Sequence, residues 1–420
     1  MSAQQEISAF VPVSRRGKNI VLCADGTGNA FGQQSSSNVA KLIEHLNLTD
    51  ETTQVAAYNQ GLGTWSEQSA AILEFQQKLE KPDALRPLQP PNESVWKPWT
   101  WPALICSMTK GSGLARNVGQ LYEKLAELYE PDDSVFLFGF SRGAFTVRAL
   151  AGLTWRYGLP PTNECVVAMD RFEKAWPLFF NEFQDPNGDK EAIARDFQSK
   201  FKQRPCRIHF LGLWDTVKSY GGLDPVMLPH LRHNPSVDIV RHALALDERR
   251  AWFEPTTWGW LDSDICTVAA SSRIKAADIE KIRKQKIVEV WFSGCHSDVG
   301  GGGCNSGTSD IALRWMLGEA KSAGINLNKE GDCFLSMAAE HEKPVPTDSH
   351  NIVWKLIERI HRRSIDNHGV WPVTIDAAPG PVPREPLKCK RAGKVWVHES
   401  VTDRSRFSGL TLETHRTRRS

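Results

Sequence analysis

Three residues of this chain could together turn a weak nucleophile into a reactive one: Ser141, Asp215 and His296, in that chain order. Ser141 is the centre of Gly139-Phe140-Ser141-Arg142-Gly143, a G-x-S-x-G pattern set between the apolar run Val135–Phe138 and a helical pattern. A strand that turns at once into a helix leaves its central residue in a strained conformation. Glycine is needed at Gly139 and Gly143 so that nothing collides with the turn. The serine hydroxyl is then raised above the sheet, at a helix N-terminus whose amides favour the negative charge an attacked carbonyl acquires. A serine at its ordinary pKa needs a base, and the base needs an orienting acid. His296 and Asp215 fill those roles. The expected oxyanion hole is the Arg142 amide together with one from Gly26 or Thr27, in the loop Asp25-Gly-Thr-Gly-Asn29.

Each role has a competitor. His398 is the next candidate base. Asp298 or Asp224 could serve as the acid if Asp215 only caps the next helix. The loop at Asp25 has two readings, a backbone cradle for a ligand and a tight turn capped by Asp25 and Asn29. Asp25, His296 and Asp298 also offer mixed oxygen and nitrogen donors, but the spacing that usually holds a metal is missing. No metal and no cofactor are expected.

The elements that must position these groups alternate between strand and helix, which predicts an α/β fold with a mainly parallel sheet. Strands are expected at 18–24, 54–58, 135–140, 206–214 and 286–292, with a weak one at 395–397. Helices are expected at 38–47, 113–129, from 142 to Gly158, 237–250 and 309–323. The proline-broken, tryptophan-rich stretch near 65–110 reads as an insertion over the sheet, and 162–205 as a second excursion. Trp96, Trp99 and Trp101, with Phe179 and Phe180, are expected to cover Ser141 and admit an apolar acyl chain; packing of the insertion is the competing reading.

The balance of 51 Lys+Arg against 49 Asp+Glu gives a formal charge of +2, which argues against a globally basic nucleic-acid binder. Nine cysteines lack C-x-x-C spacing. Cys23, Cys206 and Cys295 lie in or beside apolar runs and read as small core residues in a reducing compartment. The N-terminus has no basic start followed by an apolar stretch, and no apolar run approaches membrane-spanning length. A cytoplasmically made protein is expected, with signal-less secretion compatible. The sequence carries no signal for an oligomeric state.

The motifs Asp25-Gly-Thr-Gly-Asn29, Gly139-Phe-Ser-Arg-Gly-Ala144, Trp214-Asp-Thr-Val217, Arg241-His-Ala-Leu-Ala-Leu-Asp-Glu248 and His296-Ser-Asp-Val-Gly-Gly-Gly302 occur in that order. Together they resemble the α/β-hydrolase catalytic domain of the first class of type VI lipase effectors. The resemblance runs from about Lys18 to Ala323, with Val397-His-Glu-Ser-Val401 similar to a further family element. It implies an α/β-hydrolase-like sheet with insertions over its edge. It also implies a serine hydrolase acting on ester bonds, some members being phospholipases, with nucleophile, acid and base at Ser141, Asp215 and His296. The expected organisation is a flexible segment 1–17, a catalytic domain 18–325, and an extension 326–420 packed on it and ending in a basic tail. The expected partners are a small-molecule or lipid ester, with peripheral contact at a lipid surface and no nucleic acid. The competing reading is a non-catalytic scaffold that keeps the hydrolase shell.

Overall fold

Apolar residues of the central strands alternate between two buried faces, and that alternation builds three layers. The computed structural model describes residues 17–26, 36–60, 85–87, 112–182, 189–217, 228–250, 253–258, 276–303, 306–337, 347, 362–366, 373–377, 384, 394–402, 407 and 411–415. Its main sheet has nine strands in the order β11-β10-β7-β6-β5-β4-β1-β2-β3. The strands are β1 Asn19–Ala24, β2 Gln54–Asn59, β3 Leu85–Pro87, β4 Ser134–Phe140, β5 Ile208–Trp214, β6 Val237–Ala245, β7 Lys286–Phe292, β10 Lys394–His398 and β11 Thr411–His415. Every neighbouring pair is parallel. A separate antiparallel pair joins β8 Arg362–Asp366 to β9 Val373–Ala377.

One face packs Ile20, Leu22, Val135, Leu137, Ile208 and Leu211 against α2 Ser112–Leu128, α3 Arg142–Tyr157, α4 Ala168–Phe180 and α5 Lys190–Lys200. The other packs Val21, Cys23, Phe136, Phe138, Phe210 and Trp214 against α1 Asn38–Glu44 and α8 Ser306–Ser322. Between them in sequence lie α6 Ala276–Lys284 and α7 His296–Gly300, and α9 Lys329–Ser336 follows. Each fully buried Phe contributes about 1.5–3 kcal/mol of transfer free energy. Burial on both faces explains why these strands read as continuous apolar runs. The architecture is that of an α/β-hydrolase-like fold.

The chain leaves β1 for α1 on one face and leaves β4 for α3 on the other. Adjacent parallel strands whose following helices diverge open a crevice at their C-terminal ends, where α/β sheets bind ligands. The loop beginning at Asp25 and the turn at Ser141 flank that crevice, since Ala24 is in register with Gly139. No helix among the described residues is long and apolar enough to cross a membrane.

Three expectations need correction. Residues 237–245 form strand β6, not a helix, and β6 sits between β5 and β7. Its apolar residues Val237, Val240 and Leu244 mimic helical spacing. A strand covered on both faces shows no polar alternation, and its charges are absorbed by Arg241–Glu319 and Asp238–Arg207 pairs. Leu85–Pro87, placed over the sheet by the sequence reading, instead pairs with β2 as the edge strand. Phe179 is not part of a cover: it is fully buried in the core with Trp176 beside it, and Phe180 packs against the same cluster. Trp96, Trp99 and Trp101 lie outside the described residues.

Candidate active site

Ser141 stands at the junction of β4 and α3 with φ 57° and ψ −120°, a left-handed conformation that side-chain-bearing residues rarely adopt. It caps α3 without a side-chain hydrogen bond to the helix. The neighbouring glycines are required by space. A Cβ on Gly143 would lie 2.1 Å from the Ala24 carbonyl oxygen, and one on Gly139 would lie 2.6 Å from Ala144 Cα. The Ser141 amide donates to the Trp214 carbonyl at 3.0 Å, tying the turn to the end of β5.

Asp215 follows Trp214 directly and also has positive φ, 40°. Its side chain is fully buried. His296 begins α7 after β7, and its Nδ1 lies 2.6 Å from Asp215 Oδ2. The chain after β7 carries the imidazole back across β6 and β5 to the end of β4. There its ring lies 4.6 Å from Phe140 and 4.9 Å, edge-on, from Phe253. The His296 amide donates to Glu248 Oε2 at 3.2 Å, and Arg250 pairs with Glu248.

Asp215 has a second strong partner that the sequence reading did not find. Arg384 Nη1 donates to Oδ1 at 2.5 Å and Nη2 to Oδ2 at 2.9 Å. The Ala245 amide completes the Oδ1 contacts at 3.0 Å. Burial alone would raise this carboxyl, but the Arg384 charge and the His296 hydrogen bond hold it well below the usual carboxylate range. Burial lowers His296, only partly opposed by Asp215, so the imidazole rests neutral at neutral pH. Its Nδ1 is therefore the protonated nitrogen, which leaves Nε2 as the acceptor. Burial would raise Glu248, yet Arg250 brings it down to about 2.

Behind Asp215, His242 Nε2 accepts from the Thr216 amide at 3.1 Å while Nδ1 meets Glu289 Oε1 at 2.9 Å. Glu289 also accepts from the Trp258 amide at 2.6 Å. This network fixes the strand end on which Asp215 sits.

The remaining candidates hold other positions. Asp298 accepts from the Cys295 amide at 3.0 Å and from the Thr347 amide and hydroxyl, both at 2.8 Å. It closes the start of α7, and the carboxylate on His296 is Asp215. His398 stacks on Phe292 with centroids 4.5 Å apart and accepts from the Ser400 amide. Asp25 accepts from Ser37 Oγ at 2.5 Å and Tyr58 Oη at 2.7 Å, joining the β1 loop to the cap of α1 and to β2. The Gly26 amide is engaged by Asp25 Oδ1 at 2.7 Å. Thr27 and Asp224 lie outside the described residues. The possible metal set Asp25, His296 and Asp298 is thus divided among separate protein partners. Among the described residues, no group of His, Cys, Asp or Glu is arranged to hold a metal ion.

The chain is also similar to known proteins. The family model described as T6SS, Phospholipase effector Tle1-like, catalytic domain matches residues 18–319. An uncharacterized protein of Saccharomyces cerevisiae, YEL023C, is 33% identical over 247 residues, which are 57% of this chain and 33% of that protein. The chain thus spans about a third of that relative's length. Among solved structures, an uncharacterized protein from Pseudomonas aeruginosa is 22% identical with a TM-score of 0.41, covering 78% of this chain and 50% of that one. The Tle1 effector solved bound to the VgrG spike of the type 6 secretion system is 14% identical with a TM-score of 0.32, covering 85% and 83%.

Proposed function

The chain belongs to the T6SS phospholipase effector Tle1-like catalytic-domain family, and we propose that it is a serine hydrolase that cleaves carboxylic-ester bonds with Ser141 as nucleophile, His296 as base and Asp215 as orienting acid. The observation that carries this reading is the buried 2.6 Å Asp215–His296 bond at the same sheet edge as the strained Ser141. Ser141 Oγ attacks the ester carbonyl and gives its proton to His296 Nε2. Asp215 stays ionised and stabilises the imidazolium. The carbonyl oxygen gains negative charge beside the first amides of the 16-residue helix α3, the Arg142 amide foremost. His296 returns the proton to the departing alcohol, leaving an acyl ester on Ser141. Water activated by the same imidazole then hydrolyses that ester.

The family points to lipid esters as the substrate class, with a phospholipid as its narrower form. Purified protein incubated with mixed phospholipid vesicles should release fatty acid and lysophospholipid detectable by mass spectrometry, and Ser141→Ala should not. Absence of release from every lipid and from short soluble esters would favour a hydrolase shell kept for binding.

A further inference from the structure

We propose that Arg384 is a positioning residue of the candidate active site, contributed by chain beyond the family-matched residues 18–319, and that it sets the protonation state of the Asp215–His296 pair. The inference rests on the hydrolase reading above for its catalytic consequence, though not for its charge balance.

Arg384 has only 3% of its side chain exposed, and Asp215 is fully buried. The planar guanidinium spans both carboxylate oxygens, a geometry that a lysine cannot copy. Its two terminal nitrogens also donate to the Ala245 carbonyl at 2.7 Å and the Phe253 carbonyl at 2.6 Å. One side chain therefore clamps the end of β6, the acid after β5 and the segment whose Phe253 ring lies on His296. Asp215 Oδ2 receives both Arg384 Nη2 and His296 Nδ1, so the arginine fixes the rotamer from which the carboxylate meets the imidazole.

The charge balance is the second consequence. With Arg384 in place, an ionised Asp215 and a neutral imidazole form a buried set with no net charge. Without it, the same resting state would bury a lone negative charge, and burial would favour proton uptake by the pair. The other charges facing His296 are Glu248 and its partner Arg250, which largely offset one another. Behind Asp215, His242 is engaged by Glu289 and the Thr216 amide. Arg384 is thus the cation that balances the ionised Asp215, beside an imidazole that burial already holds neutral.

The test follows the His296 imidazole by NMR in full-length protein carrying labelled histidine, its resonance assigned with His296→Ala. Ser141→Ala is used as the parent so that turnover plays no part. Adding Arg384→Gln should move the His296 midpoint up by about one pH unit or more. In otherwise unaltered protein, the acidic limb of kcat/KM should move with it. Arg384→Lys should shift the midpoint less, yet lower kcat about tenfold or more because the fork is lost. A midpoint in the Gln variant equal to that of the parent would overturn the proposal. Should the Gln variant not fold, a Lys variant with unchanged kcat and midpoint would overturn it as well. If the protein hydrolyses no ester, the function reading fails while the imidazole titration still decides the role of Arg384.

Discussion

The amide of Ser141 and the carbonyl of Trp214 are joined by a 3.0 Å hydrogen bond, so the candidate nucleophile and the residue preceding the candidate acid move as one piece of backbone. Both flanking residues carry positive φ, 57° at Ser141 and 40° at Asp215. Two strained positions at the ends of neighbouring strands, linked by that bond, are the kind of outlier that a functional site carries. The burial of β4 and β5 on both faces holds them there.

Relief of that strain gives the first expectation. Ser141→Gly should abolish ester hydrolysis and stabilise the fold by about 1 kcal/mol, because glycine adopts this conformation without the steric cost. A thermal melt compared with Ser141→Ala, which keeps the strain, isolates the effect. Equal melting temperatures for the two variants would contradict the account.

Two aspartates near His296 separate chemistry from scaffolding. Asp215→Asn should lower kcat about 10⁴-fold, and combining it with His296→Ala should add little further loss. Asp298→Asn should chiefly lower thermal stability, because that carboxylate caps α7 and holds Thr347. A greater kinetic loss from Asp298→Asn than from Asp215→Asn would reverse the roles.

The pH dependence has a defined sign. In the proposed mechanism the neutral form of His296 acts as the base, and burial lowers its pKa from the ordinary value of about 6.5. Activity should therefore rise with pH along a limb centred below that value and level off above it. A limb centred above it would mean that the imidazole in use is not the buried one on Asp215.

The parts of this fold written in local pattern were legible in the chain. β4 and β7 appear where buried apolar runs are bounded by turns, and α3 ends at Gly158, whose φ of 75° suits glycine. Ser141 was visible for the same reason, since a strand, a glycine-flanked serine and a helix adjoin in sequence. β6 was not, because the apolar spacing of Val237, Val240 and Leu244 fits a helix as well as a strand covered on both faces. The Asp215–His296 pair was chosen from the common edge of parallel strands, with Asp298 as its competitor; the side-chain contacts put Asp215 on His296 and Asp298 on Thr347. Arg384 left no local sign at all. It reaches Asp215 across 169 residues of chain, from a stretch without periodicity.

The central claim is that Ser141 is an activated nucleophile, and labelling with a fluorophosphonate tests it most directly. Intact-protein and peptide mass spectrometry should find a single covalent adduct, located on Ser141. It should form rapidly at pH 7.5–8, slow sharply in His296→Ala, and be absent from Ser141→Ala. No adduct on the folded protein, or an adduct on another serine that persists in Ser141→Ala, would contradict the account.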